Sequence, residues 1–333
     1  MILTTQIYKQ FYWLFIIFLL LESLNIAVLG NNEFLNEFGK RGTLSDIVLY
    51  DRKLKDRIFT FIAPISFPDK IQTLPQVLNM ADFVILNITQ LDKYLAEQII
   101  AINSLGIENG FLLHSYDIDE QRLNQMIKDT TIENFKKIEN LNVLKNEINN
   151  LQSKSKEGDF LMPIDHSFDV KGVGTVLLGG IKQGRIKVYD KLRIVPSNKD
   201  ALIKSIQMHD EAVDESSSPS RVGLAVKGVS PREIERGDII CSGDTIKTAV
   251  IEVLVTDFSK NKYYNEEIKN TQTYLISVGL QIKPLKILIN NSKILLSLEK
   301  PIAYYEHQKF LILKPESKTT RIIAEGSFPK LIQ

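Results

Sequence analysis

With 333 residues the chain can build two or three domains with substantial cores, and 44% hydrophobic against 24% charged residues is the ordinary balance of a soluble globular protein. A net charge of +1 excludes a global basic field, so any contact with RNA has to come from a local patch. The single cysteine, Cys241, excludes an internal disulfide and a cysteine-rich metal site, suits a reducing cytoplasm, and reads as a small buried residue at a strand end.

Phe11 to Leu21 is a run of eleven apolar residues behind one cation, Lys9. It falls short of the ~20 residues that a helix needs to span a bilayer. It is similar to a signal-peptide core, but no small-x-small cleavage site follows it. Residues 1–23 therefore read as a hydrophobic leader or a mis-assigned start, with a membrane anchor as the alternative. From residue 24 the pattern changes. Strands are predicted at Asn25–Gly30, Ser45–Tyr50, Arg57–Ala63, Asp82–Ile88 and Gly110–Ser115, with helices at Ile71–Asn79, Tyr94–Leu105, Glu120–Lys128 and Asn140–Leu151 and a short strand near Ile132–Lys136. Apolar strands separated by amphipathic helices predict a largely parallel sheet covered on both faces, here over residues 24–151. The polar run Gln152–Gly158 reads as a linker.

Residues 159–243 carry short β-branched runs broken by turn signals at Gly179-Gly180, Gln183-Gly184 and Ser197-Asn198, which predicts a small β-barrel. Residues 244–333 continue with strands at Thr248–Val255, Gln272–Leu280, Gln281–Asn290, Ser292–Leu298, Phe310–Leu313 and Thr320–Ala324, a second all-β module. His114, His166, His209 and His307 are scattered without ligand spacing, so no metal site is expected. Tyr263, Tyr264, Tyr304 and Tyr305 suit core or barrel packing, with base stacking as the alternative.

Three blocks in the first β-module are specific: Pro163-Ile-Asp-His-Ser-Phe-Asp-Val-Lys-Gly-Val-Gly-Thr175, Gly180-Ile-Lys-Gln-Gly-Arg-Ile-Lys-Val-Tyr-Asp190 and Ile234-Glu-Arg-Gly-Asp238. Together they resemble the second domain of translational GTPases of the elongation factor Tu group, nearest the archaeal selenocysteine-specific elongation factor. Lys300-Pro-Ile, Gln308–Leu313 and Arg321–Gly326 resemble the closing strands of the third domain in the same factors. The resemblance implies an α/β plus all-β chain: a trimmed Rossmann-like GTPase domain followed by two β-barrels.

A phosphate-binding loop needs Gly-x-x-x-x-Gly-Lys-[Ser/Thr], because backbone amides wrap the phosphates, the lysine cancels their charge and the hydroxyl holds Mg²⁺. Gly30 follows its strand correctly, but Leu35, Asn36 and Glu37 stand where Gly-Lys-Ser/Thr belongs, and the Gly39-Lys40 pair comes nine residues after Gly30 in place of five. Lys40-Arg-Gly-Thr-Leu-Ser-Asp-Ile47 resembles the first switch of the selenocysteine factors, with Leu44 at the Mg²⁺-binding Thr and Thr43 one position away. Ala63-Pro-Ile-Ser-Phe67 falls on the second switch Asp-x-Pro-Gly-His, and His114-Ser-Tyr-Asp117 on the guanine-reading Asn-Lys-x-Asp. Only Asp117 survives there, and as a structural residue it would cap the turn Asp117–Leu123. Gly30, Lys40, Thr43 and Asp117 thus form a vestigial nucleotide site. Losing the lysine, both Mg²⁺ ligands and the water-positioning histidine removes most of the electrostatic stabilisation of phosphoryl transfer. A pseudo-GTPase is expected, with no catalytic residue and neither GTP nor Mg²⁺ as cofactor. An unorthodox phosphate site around Gly39, Lys40 and Arg41 is the enzyme alternative. A protein-docking module with its cleft filled by Phe34, Phe38 or Phe67 is another.

The resemblance also implies partners: tRNA, the ribosome or another translation factor in the cytoplasm, and not DNA. The best-matched surface residues are Lys171, Gly172, Gly174 and Thr175, then Arg221, Glu235 and Arg236. Lys182, Arg185, Lys187, Lys191 and Arg193 lie in neighbouring hairpins, where alternation would set several on one face for phosphate contact.

Overall fold

The computed structural model describes residues 22–249, 252–255, 257–290 and 293–329. Residues 1–21, where most of the predicted leader falls, lie outside the described residues. The last two leader positions, Glu22 and Ser23, already belong to the first strand.

The α/β domain is a seven-stranded sheet. Its strands are β1 (Glu22–Gly30), β2 (Lys40–Leu44), β3 (Ile47–Leu54), β4 (Arg57–Pro64), β5 (Phe83–Ile88), β6 (Gly110–His114) and β7 (Lys136–Lys137), in the order β2-β3-β4-β1-β5-β6-β7. β1 runs parallel to β4 and β5, and β6 parallel to β5, whereas β2 and β3 extend the sheet antiparallel. Alternation sorts β1 between two cores: Ala27 and Leu29 face one side, Leu24, Ile26 and Val28 the other.

Among the described residues five helices cover these faces: α1 (Leu35–Phe38), α2 (Thr73–Met80), α3 (Lys93–Leu105), α4 (Glu120–Ile127) and α5 (Leu141–Asn150). α3 begins where the Asp92 carboxylate accepts from the Tyr94 and Leu95 amides, and α5 where Asn140 accepts from Asn142 and Val143. The segment predicted as a strand near Ile132–Lys136 is a 3₁₀ turn, Thr131–Asn134, followed by the two-residue β7. Thr130 caps that turn by accepting from the Ile132 amide, and such local bonding competes with a strand.

The first barrel comprises β8 (Leu161–Val170), β9 (Gly174–Gly180), β10 (Arg185–Lys187), β11 (Lys191–Val195), β12 (Lys199–Met208), β13 (Glu211–Val213), β14 (Glu215–Ser217), β15 (Arg221–Lys227) and β16 (Ile239–Cys241). Pairing of β11 with both β16 and β12 closes it around Met162, Ile164, Leu177, Ile203 and Leu224. Gly179-Gly180 lies inside β9 and is not a turn. A Cβ on Gly179 would stand 2.3 Å from the Pro163 carbonyl oxygen, so this glycine serves close strand approach. Cys241 is buried at the end of β16, as its residue type predicts.

The second barrel follows: β17 (Lys247–Ala249), β18 (Glu252–Val255), β19 (Asp257–Lys260), β20 (Thr273–Val278), β21 (Gln281–Asn290), β22 (Lys293–Leu298), β23 (Ile302–Tyr304), β24 (Lys309–Leu313) and β25 (Ile322–Ser327). Tyr264 and Tyr304 are in its core, while Tyr263 and Tyr305 are exposed. Leu280, Leu311, Leu313 and Ile322 leave this barrel to join Ile99 and Ile102 of α3 in one continuous apolar cluster. The second barrel and the α/β domain thus share a core.

Candidate functional site on the sheet edge and the first barrel

In a parallel α/β sheet, ligands bind beyond the carboxyl ends of the strands. Here that edge is set by Gly30, Pro64, Ile88 and His114, the ends of β1, β4, β5 and β6.

The loop after β1 is closed. The Asn31 amide donates to the Asn87 carbonyl at 3.0 Å, and Asn87 Nδ2 donates back to the Asn31 carbonyl at 2.9 Å. Further along, the Glu33 amide is taken by Asn31 Oδ1, the Leu35 amide by the Asn32 carbonyl and the Glu37 amide by the Phe34 carbonyl. Four of the amides along the loop, those of Asn31, Glu33, Leu35 and Glu37, are therefore spent inside the protein and do not converge on a phosphate. Gly30 (φ +78°) makes this closure possible, since a Cβ there would lie 2.0 Å from the Asn87 carbonyl oxygen. Phe34, Leu35 and Phe38 then pack inward, with Phe38 edge-on to Phe61 of β4 at 5.7 Å.

The other nucleotide-site residues do not meet around this loop. Lys40 and Arg41 are exposed on the edge strand β2, three strands from β1 in the sheet order. At ladder spacing that is about 14 Å. Thr43 belongs to the same strand. Asp117 is exposed in the loop after β6, and the helix cap expected of it is supplied instead by Asp119, whose carboxylate accepts from the Arg122 amide. Asp119 immediately precedes α4, which puts it within reach of that amide.

The seven barrel residues divide into two groups. Lys171, Gly172 and Gly174 form the exposed tip of the β8–β9 hairpin, beside Phe168 and Val173. Thr175 sits just inside, buried, with its hydroxyl donating to the Val229 carbonyl at 2.9 Å. Arg221 spans both oxygens of Asp165 at 2.5 and 2.8 Å, beneath the surface. Burial alone would raise the Asp165 carboxyl, but the Arg221 charge and fork, with the His166 ring, outweigh it and hold the group below its ordinary value. Glu235 pairs with Lys283 of the second barrel, and that hydrogen bond holds its carboxyl low. Arg236 pairs with Asp46 of the α/β domain at 2.7 Å. Partial burial works against ionised Asp46, and the Arg236 bond and charge prevail, keeping its carboxyl low. Arg221, Glu235 and Arg236 thus hold the protein's own carboxylates and cation.

The neighbouring cations also scatter. Lys182 turns to the α/β domain and donates to the Met80 carbonyl, whereas Arg185, Lys187 and Arg193 pair with Glu157, Glu215 and Asp244. Among the described residues no cluster of His, Cys, Asp and Glu suits a metal ion, and no helix is long and apolar enough to cross a membrane.

With this geometry in place, the comparisons with known proteins are informative. The family described as "Elongation factor Tu domain 2" matches residues 174–241. An uncharacterized protein of Methanocaldococcus jannaschii is 34% identical over 310 residues, which is 92% of this chain and 99% of that one. The selenocysteine-specific elongation factor of the same organism is 35% identical over 164 residues, covering 49% of this chain and 35% of the factor. The chain is a relative of the translational GTPases. Its fold is that of the translation elongation factor SelB from Methanococcus maripaludis in complex with the GTP analogue GppNHp: TM-score 0.78 at 21% identity, over 93% of this chain and 80% of that one. The apo form of the same factor gives a TM-score of 0.74. This translational GTPase relative therefore carries a mixed α/β domain and two barrels in the arrangement of the selenocysteine factors.

Sequence reasoning missed Glu97, Asp46 and Arg321 as contact residues between domains. Arg321 donates to both Glu97 oxygens at 3.0 and 2.5 Å across 224 positions of sequence. No local signal marks such a pair. Only the half-apolar face of α3, which carries Glu97 among leucines and isoleucines, hints that this carboxylate is buried.

Proposed function

We propose that this elongation factor relative is a pseudo-GTPase that works in translation by binding, without nucleotide turnover. The observation that carries the reading is the closed loop after Gly30, in which the Asn31 amide is bonded to Asn87 and those of Glu33, Leu35 and Glu37 to the loop itself. An anion there would have to break those bonds while facing Glu33 and Glu37 in place of a lysine. The replacements Ala63 and Phe67 at the second-switch positions support the same reading, because neither can hold a magnesium-bound water or orient an attacking one, and Ser66 stands where the resemblance puts the glycine that contacts γ-phosphate.

Its partner is tRNA, the ribosome or another translation factor in the cytoplasm, and the hairpin tip of the first barrel is the contact surface. Lys171 supplies a cation, Gly172 and Gly174 let backbone approach closely, and Phe168 and Val173 offer apolar faces. Thr175 and the Arg221–Asp165 pair brace the first barrel behind that surface, Glu235 and Arg236 face the other two domains, and none of the four is assigned a contact with RNA. No residue is assigned to chemistry, and neither GTP nor Mg²⁺ is required.

Two measurements test this reading. Equilibrium titration with a fluorescent guanine nucleotide and Mg²⁺ is expected to show no saturable binding at micromolar concentration; tight binding abolished by Lys40→Ala overturns it. Affinity purification at low salt is expected to retain RNA or ribosomal subunits, and an eluate free of both argues against the partner assignment.

A further inference from the structure

Three segments of the α/β domain that stand at or beside the switch-motif positions are bonded to a barrel. Asp46 is held by Arg236 of the first barrel at 2.7 Å. The Pro68 carbonyl accepts from Arg321 Nη1 of the second barrel at 2.5 Å, and Phe67 lies 5.7 Å from the same guanidinium. Gln76 of α2 donates to the Leu280 carbonyl at 2.8 Å, and the Met80 carbonyl at the end of α2 accepts from Lys182 at 3.1 Å. Segments positioned to respond to a nucleotide are instead docking points for the rest of the molecule.

We propose that Arg321, seated in a socket of Glu97, Phe67 and Tyr94, is the latch that holds the second barrel against the α/β domain in one arrangement, which guanine nucleotide does not change. The socket is complete on every side. Glu97 takes the Arg321 backbone amide, Nε and Nη2, so the carboxylate meets the fork with both oxygens. Phe67 and Tyr94 meet edge-on at 6.1 Å and cover the guanidinium at 5.7 and 5.9 Å. The Arg321 side chain is 12% exposed and that of Glu97 4%, so moving the barrel away gives up the bidentate pair and its aromatic cover together, with rehydration of the two charges returning part of that loss. Beneath them runs the shared seam of Leu311, Leu313 and Ile322 against α3. Domains joined by small polar surfaces move freely, whereas a buried apolar seam under a paired charge opens in one costly step or not at all. Phe67 stands where the family's water-positioning histidine belongs, which couples the loss of that group to the gain of the socket wall. The latch is independent of whether nucleotide binds: binding that left the second barrel in place would overturn the proposed function and leave the latch standing.

The test places one spin label on Glu120→Cys of α4 and another on Tyr263→Cys of the second barrel in the full chain, with buried Cys241 left unlabelled. The distance is read without nucleotide, with GDP, and with a non-hydrolysable GTP analogue plus Mg²⁺, each at millimolar concentration. One narrow distance in all three states is expected, and a shift or a second population in any of them overturns the proposal. Arg321→Ala is expected to broaden the distribution and to split the thermal transition in two as the second barrel melts separately; an unbroadened distance with a single transition overturns the latch. Should Arg321→Ala not fold, Arg321→Lys and Phe67→Leu read the same quantities, and narrow distances in both overturn it equally.

Discussion

Gly30 and the pair Gly172, Gly174 share a backbone conformation and differ in everything around it. All three have positive φ, at +78°, +83° and +97°. A Cβ on Gly30 would run into the Asn87 carbonyl, while one on Gly172 or Gly174 would meet nothing within 4 Å. The first glycine closes a loop that in a nucleotide-binding protein stays open to a ligand, and the other two end a hairpin that reaches into solvent. Glycine retained for packing and glycine retained for access read alike in sequence, and only their surroundings separate them.

The hairpin itself contains the same contrast, and the largest predicted effect breaks it at the buried end. Asp165 is buried in the middle of β8, six residues before the exposed tip begins at Lys171. Asp165→Ala leaves the Arg221 guanidinium buried without its carboxylate and is expected to cost about 3–5 kcal/mol, read by urea unfolding. The pair also gives a pH signature. Because the folded carboxyl titrates below its ordinary value of 3.8, its stabilisation is complete above that value and is lost as pH falls through the folded one. Asp165→Asn should flatten that acid limb, and an unchanged limb would assign it to other carboxylates.

Next in size is Gly30→Ala, which combines a left-handed main chain with a contact that backbone cannot yield. A loss of about 2–4 kcal/mol is expected, against about 1 kcal/mol for Gly172→Ala, where only the conformation is unfavourable. Equal losses at the two sites would remove the distinction between closed loop and open tip. A smaller effect comes from Asp238, buried beneath Glu235, whose carboxyl burial pushes up to about 6 against the opposing bond from the Glu235 amide. A raised folded value means that this group's contribution is full below pH 4 and is lost as pH rises through about 6. Asp238→Asn is therefore expected to exceed the parent protein in stability by about 1–2 kcal/mol at pH 8, with the difference vanishing near pH 4.

Local periodicity made much of this legible. The alternation along β1, the capped helices α3 and α5, and the glycine-punctuated strands of the first barrel all announce themselves within ten or twelve residues. The missing phosphate lysine was equally plain, because a motif is a local object. What the sequence could not convey is where long-range partners fall. Arg236 finds Asp46 across 190 positions and Arg321 finds Glu97 across 224, and neither residue type nor spacing encodes the meeting. For that reason Arg221, Glu235 and Arg236 read as surface candidates although they hold the protein's own charges. β2 was read as a motif and not as a strand, since its edge position leaves most of its residues exposed and erases the apolar alternation.

The smallest predicted change in stability lies at the open tip, and it separates the two ends of the hairpin most sharply. Lys171 is exposed and, among the described residues, its ammonium forms no ion pair, so Lys171→Glu should leave the urea midpoint within the ±0.5 kcal/mol typical of surface positions. Its effect belongs to binding. Replacing a cation by an anion beside a phosphate removes one released counterion and adds repulsion, so retention of RNA should fall by about tenfold at low salt and the salt dependence should flatten by about one charge. The double substitution Lys171→Glu with Lys204→Glu extends the same logic, because Lys204 donates to the Val173 carbonyl at 2.6 Å and holds the tip in place. If both variants retain RNA as the parent does, the contact surface is elsewhere on the barrels; if they lose it with stability intact, the two open glycines mark the binding end of the molecule.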